Sequence, residues 1–169
     1  MNYICDVRDT APALNVVNVK AADELKAGDV VAINRLVDDE ENREVYEATM
    51  PADGDIRYAI IVNQGFEELE DGRRPEGQPN FTSFTFKAGT ILHAVILDYA
   101  PIPFVIADIQ IDGEAEVGKF LAPKAGQHKL AVVDTKADVC LAVEKVKVEI
   151  PMGGMFGMGV EKATYATIL

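Results

Sequence analysis

The sequence predicts a mainly β fold, a small β-barrel or β-sandwich with short helices and long acidic surface loops. Three observations carry this expectation. One short phrase occurs three times, as Leu25-Lys26-Ala27-Gly28-Asp29-Val30-Val31, Phe86-Lys87-Ala88-Gly89-Thr90-Ile91-Leu92 and Pro123-Lys124-Ala125-Gly126-Gln127-His128-Lys129-Leu130. Each copy sets a glycine, free to take positive φ, just ahead of β-branched and apolar residues, which is how a turn enters a strand. The unequal spacing argues against a solenoid of fixed period. Short β-rich runs recur along the chain, and no segment sustains an apolar stripe over the ~12 residues that an independent helix needs.

In chain order, residues 28–36 and 56–63 are short and rich in β-formers, so both are expected strands. Thr90 to Leu97 is apolar on nearly both faces, which predicts a central strand. Pro101 and Pro103 bracket a bend before Phe104 to Asp112. There Ile109 and Ile111 alternate with Asp108, Gln110 and Asp112, the pattern of a strand with one wet face. In the last long run, Val139, Leu141 and Val143 occupy odd positions and Val146, Val148 and Ile150 even ones. A β-bulge across Glu144-Lys145 would keep both halves on the core. Ala21 to Leu25 and Glu41 to Ala48 are expected to form a helical turn or two each.

The organisation that follows is an N-terminal arm (1–20), a β-rich core domain (21–150) and a Gly/Met-rich loop with a C-terminal contact tail (151–169). Acidic insertions are placed near 38–48 and 66–80. A chain of 169 residues with 49% apolar content can bury roughly 70% of its unfolded surface around a single core. The net charge of −12 opposes binding to nucleic acid or anionic membranes, because a phosphate partner needs a basic face. Asp6, Arg8 and Asp9 interrupt the amino terminus, so no signal peptide is expected, and no run reaches the ~20 apolar residues that span a bilayer. Cys5 and Cys140 stand far apart with no metal-type spacing and are read as reduced thiols.

Catalytic signatures are weak. Gly113 to Phe120 matches seven positions of a phosphate-cradling loop, but Phe120 stands where a hydroxyl residue should hold magnesium, and a hairpin turn is the plainer reading. Ser83 is the sole serine and lacks a nucleophile elbow. His93 sits in the apolar run and reads as a hydrogen-bonded core histidine, whereas His128 reads as exposed. Asp53-Gly54-Asp55 opens like a calcium loop without the remaining ligands. No catalytic, metal or cofactor site is expected.

The exception to a solitary domain is Pro151 to Gly159, where glycines separate Met152, Met155, Phe156 and Met158. Methionine packs adaptably on irregular apolar surfaces, so this loop either plugs its own barrel or grips a partner. Thr164 to Leu169 reads as an extended tail able to add a strand to a neighbour's sheet edge.

The order of features, with Leu25 to Ala32 early, Phe86 to Thr90 in the middle and Gly118 to Gly126 before a strand, resembles a tailed-bacteriophage head decoration (capsid cement) protein over about residues 20–150. The resemblance implies a non-enzymatic virion structural protein, made in the host cytoplasm and bound to the major capsid protein lattice as a trimer or other small homo-oligomer. Under it, Tyr3, Ile4, Leu14 and Val16 are candidate contacts from the amino-terminal arm. Met152, Met155, Phe156, Met158, Tyr165, Ile168 and Leu169 are candidates from the carboxy-terminal part. The longer acidic insertions depart from the smallest family members. A tail-tube or head-completion protein is the alternative within the virion. A ligand-binding β-barrel or enzyme using His93 with Asp108, and an acidic nucleic-acid mimic, are the alternatives outside it.

Overall fold

The structure is a computed structural model, and it describes residues 5–7, 16–38, 44–62, 85–97, 101–152 and 159–169. It is mainly β, as the sequence predicts, with two strongly curled half-barrel sheets. In chain order the strands are β1 (Cys5–Val7), β2 (Val16–Ala21), β3 (Val30–Ala32), β4 (Val45–Ala48), β5 (Tyr58–Ile61), β6 (Ile91–Ile96), β7 (Pro103–Ala107), β8 (Ile111–Asp112), β9 (Phe120–Ala122), β10 (Leu130–Val133), β11 (Leu141–Met152) and β12 (Gly159–Ile168). The first sheet has the order β1-β7-β12-β11-β9-β10-β8, and the second β3-β5-β6-β2-β4.

The second sheet curls until its ends meet. From the end of β3 onward the chain bridges β4 and the residue after it, with Ala32 opposite Thr49 and Leu36 opposite Tyr46. Val19, Leu25, Val31, Ile33, Ile61, Leu92 and Ile96 fill the interior of this small barrel. The other face of β3, β5 and β6 supplies Val30, Ile60 and Val95, which lie directly opposite one another across the three strands. They join Phe104, Ile106, Leu121, Leu130, Leu141 and Ile168 of the first sheet in a second core. These strands are apolar on both faces because each face meets a different core. Full burial of each such side chain is worth about 1.5–3 kcal/mol.

All three phrases make the turns their glycines predict, with φ of +92° at Gly28, +86° at Gly89 and +80° at Gly126. The first two are related by a local two-fold. Leu25 and Phe86 exchange both backbone hydrogen bonds, at 2.9 and 2.7 Å. Gly28 N–H donates to Ile61 O at 2.7 Å while Ile61 N–H returns to Asp29 O at 2.8 Å. In the same way Gly89 N–H donates to Ala21 O at 2.7 Å and Ala21 N–H to Thr90 O at 2.9 Å.

Several expectations are corrected. Residues 45–48 form β4, not a helix or an insertion: Val45 and Tyr46 pair parallel to β2, and Val45 and Ala48 are buried. Ala22 to Leu25 is a bend ending in a bridge, not a helical turn. The strand expected through Asp112 breaks into a 3-10 turn at Asp108–Gln110, and Gln110 is buried where a wet face was expected. Residues 113–119 do not form a hairpin, because β10 lies between β8 and β9. His93 is exposed: it shares the β6 face of Val95, but the second core covers only the Val95 end. The expected arm contains β2, flanked by β4 and β6. The expected tail is β12, flanked on both sides by β7 and β11, so it has no free edge over Ala163 to Thr167 to offer a neighbour. The insertion at 66–80 lies outside the described residues.

The bulge in β11 is present. The pairing of β11 with β12 shifts between Val143 and Lys145 and again between Lys145 and Val148, with Lys147 in the left-handed region at φ +54°. Val143 is buried, and Val146 packs against the same core.

Candidate functional site

The longest hairpin in the structure is β11 with β12, and it outruns its sheet. β9 pairs β11 only at Leu141 and Ala142, because the Glu116–Lys119 turn, with Gly118 at φ +95°, takes the chain away. β7 pairs β12 only from Ala163 to Thr167, because the 3-10 turn at Asp108 diverts it. Beyond Val148 and Ala163 the two strands continue in register with each other through Glu149–Lys162, Ile150–Glu161 and Pro151–Val160 to Met152–Gly159. Among the described residues no further strand accompanies this outer stretch. The sequence that joins its ends is Gly153-Gly154-Met155-Phe156-Gly157-Met158.

The candidate contact residues are distributed as follows. Val16 (45%) and Leu169 (53%) are exposed, Tyr165 is half-buried, and Met152 closes the register of the hairpin. Ile168 is 3% exposed in the second core, so its side chain holds this chain together and is not presented at its surface. Tyr3, Ile4, Leu14, Met155, Phe156 and Met158 lie outside the described residues.

At the base of the hairpin a depression of about 340 Å³ is lined by Asp108, Ile111, Glu114, Val146, Lys147 and Thr164. Lys147 Nζ donates to Glu114 Oε1 at 2.9 Å, which holds the Glu114 carboxyl below its ordinary range and the lysine above its own. Thr164 Oγ1 donates to Asp108 Oδ1 at 2.8 Å. His93 does not line this depression, so the structure does not bring His93 and Asp108 together there. A second depression, about 400 Å³, is lined by Lys20, Arg35, Leu36, Asp38 and Glu47. Arg35 Nε donates to Glu47 Oε2, which lowers the glutamate and raises the arginine.

Other motifs are accounted for by local structure. Asp55 Oδ2 accepts Ala52 N–H at 2.7 Å around a turn with Gly54 at φ +93°, so Asp53-Gly54-Asp55 shapes a turn. Lys119, the lysine of the loop that looks like a phosphate cradle, lies 3.4 Å from both Glu116 and Asp134 carboxylates. Among the described residues no three His, Cys, Asp or Glu side chains are grouped to hold a metal ion, and no helix is long and apolar enough to cross a membrane.

Compared with known proteins, the chain matches no family model, no curated protein and no solved structure.

The arrangement that sequence reasoning missed is a buried polar group between the sheets. Asp29, immediately after the first phrase's glycine, is 6% exposed, and Gln110 is 2% exposed. Gln110 Nε2 donates to Ala27 O at 2.7 Å and to Asp29 Oδ1 at 3.2 Å. His128, expected to be exposed, is half-buried, with Nδ1 2.9 Å from Val30 O. The available signal was Asp29 itself, a carboxylate set directly before Val30-Val31-Ala32 in an apolar strand.

Proposed function

We propose that this chain is a non-enzymatic structural protein of a phage virion, which decorates and stabilises the outer surface of the capsid as a small homo-oligomer. The observation that carries the reading is the β11–β12 hairpin. It is anchored deep in the core at Leu141, Ala166 and Ile168, reaches past its own sheet and joins its ends through two methionines and a phenylalanine. A two-stranded support whose ends are joined by a sequence rich in methionine, a side chain that packs adaptably on irregular apolar surfaces, suits gripping a neighbouring protein. Repetition over a lattice turns weak single contacts into lasting attachment. The acidic surface, net −12, favours solubility and disfavours contact with packaged nucleic acid.

The test mixes purified protein with capsids that lack it and measures cosedimentation and resistance to heat. Saturable binding at a ratio set by the lattice, lost in a Met155→Asp/Met158→Asp variant that keeps wild-type stability, is the expected result. Binding in a ring-sized copy number would favour the tail or connector role. No binding to such shells, or equal binding by the variant, would refute the reading.

A further inference from the structure

The two sheets share one buried polar joint, built from three places in the sequence. Lys26 N–H donates to Asp29 Oδ2 at 2.7 Å, and Gln110 Nε2 to Asp29 Oδ1 at 3.2 Å. The other amide hydrogen of Gln110 goes to Ala27 O at 2.7 Å, so this side chain has no donor left to give. From the third turn, Val30 N–H donates to His128 O at 2.6 Å. A carbonyl only accepts, so His128 Nδ1, at 2.9 Å from Val30 O, carries a proton. Nε2 is buried with no hydrogen-bond partner among the described residues. The joint is therefore short of donors: an ionised Asp29 has about four acceptor positions, of which the described donors fill two.

We infer that Asp29, Gln110 and His128 form a latch between the barrel and the seven-stranded sheet that tightens when Asp29 is neutral and loosens when it is charged. A charged carboxylate in this place loses solvation that two neutral donors do not replace, whereas the neutral acid keeps both bonds and adds a donor to a joint that lacks them. The groups facing Asp29 are the Lys26 backbone and ammonium from its own turn, Gln110 from the 3-10 turn and His128 from the third turn. β1 also reaches this spot, where the Cys5 Cβ lies 3.6 Å from the place of a Cβ on Gly28. Burial pushes the Asp29 carboxyl up to about 6, against the Lys26 N–H, His128, the Lys26 charge and Gln110, all of which pull it down. A carboxyl raised in the folded state stabilises that state most below its ordinary value of 3.8, and this stabilisation is lost as pH rises through about 6. An opening of the joint that returns Asp29 to water is then about tenfold rarer at pH 5 than at pH 7.5.

The test uses the full chain. The Asp29 carboxyl carbon resonance is titrated, and hydrogen exchange of the Val30 amide, which crosses the joint, is compared with that of the Ala32 amide, which bonds Thr49 O inside the barrel at 2.9 Å. After correction for intrinsic exchange, the expected result is a midpoint near 6 and about tenfold more protection of Val30 relative to Ala32 at pH 5 than at pH 7.5. Asp29→Asn, neutral throughout, is expected to abolish that pH response. A midpoint near 4, an equal change at both amides, or a folded Asp29→Asn protein with the full pH response would each overturn the latch. Should Asp29→Asn fail to fold, the two wild-type measurements decide by themselves.

Discussion

Replacing Gly28 by alanine separates two costs that usually arrive together, because Gly89 provides a matched control on the other side of the local two-fold. Both glycines sit at positive φ, +92° and +86°, where an L-residue loses about 1–2 kcal/mol. At Gly89 an added Cβ meets nothing within 4 Å, so Gly89→Ala should cost that backbone penalty alone. At Gly28 the new Cβ would lie 3.0 Å from Gln110 Cγ and 3.1 Å from Gln110 Cβ. Those atoms cannot swing aside, since Gln110 is 2% exposed and its amide is tied to Ala27 O at 2.7 Å. Forcing a methyl group into such a place costs about 1–3 kcal/mol more. Gly28→Ala is therefore expected to lose about 2–5 kcal/mol in all. Urea unfolding of the two variants reads the difference directly: with a slope of about 2 kcal/mol per molar, a 2 kcal/mol gap displaces the midpoint by about 1 M. Equal midpoints would refute the close approach of the turn to Gln110. An unchanged midpoint for Gly89→Ala would refute the backbone argument.

Three further substitutions probe the bulge and the core. Lys147→Gly relieves a left-handed residue at φ +54° and removes only an exposed pair with Glu114, so thermal or urea unfolding should show it neutral or stabilised by up to about 1 kcal/mol. Lys147→Val should instead lose about 1–2 kcal/mol, because β-branching disfavours that conformation. Leu121→Ala empties a fully buried site between the two sheets and should cost about 2–5 kcal/mol with little change in urea slope.

The local features of this fold were legible in the sequence. Glycine before a β-branched run identified all three turns, since positive φ and strand propensity are properties of a few adjacent residues. The parity change after Val143 marked the bulge, because a strand that keeps facing the core must shift register. What was not legible is which sheet covers which face. His93 and His128 were read the wrong way round: His93 shares a face with buried Val95 but lies beyond the second core, and His128 is drawn inward by Val30 from ninety-eight positions away. Gln110 lies in an alternating pattern that reads as a wet face, yet it turns inward to reach Ala27 O. Thr164 to Leu169 looked like a free tail because the two strands that sandwich it, β7 and β11, are separate in sequence. The outer hairpin was foreshadowed only by its composition.

The register of the strands also dictates an order of assembly. β12 can meet β11 across a short connection, so that ribbon can zip from its own tip inward, whereas β1 meets β7 only when Cys5 finds Ile106, and β2 meets β6 only when Val16 finds Val95. Such distant encounters lose much chain entropy before any burial rewards them, which makes them slow. During synthesis β2, β3, β4 and β5 can pair among themselves, whereas β1 waits until β7 has emerged.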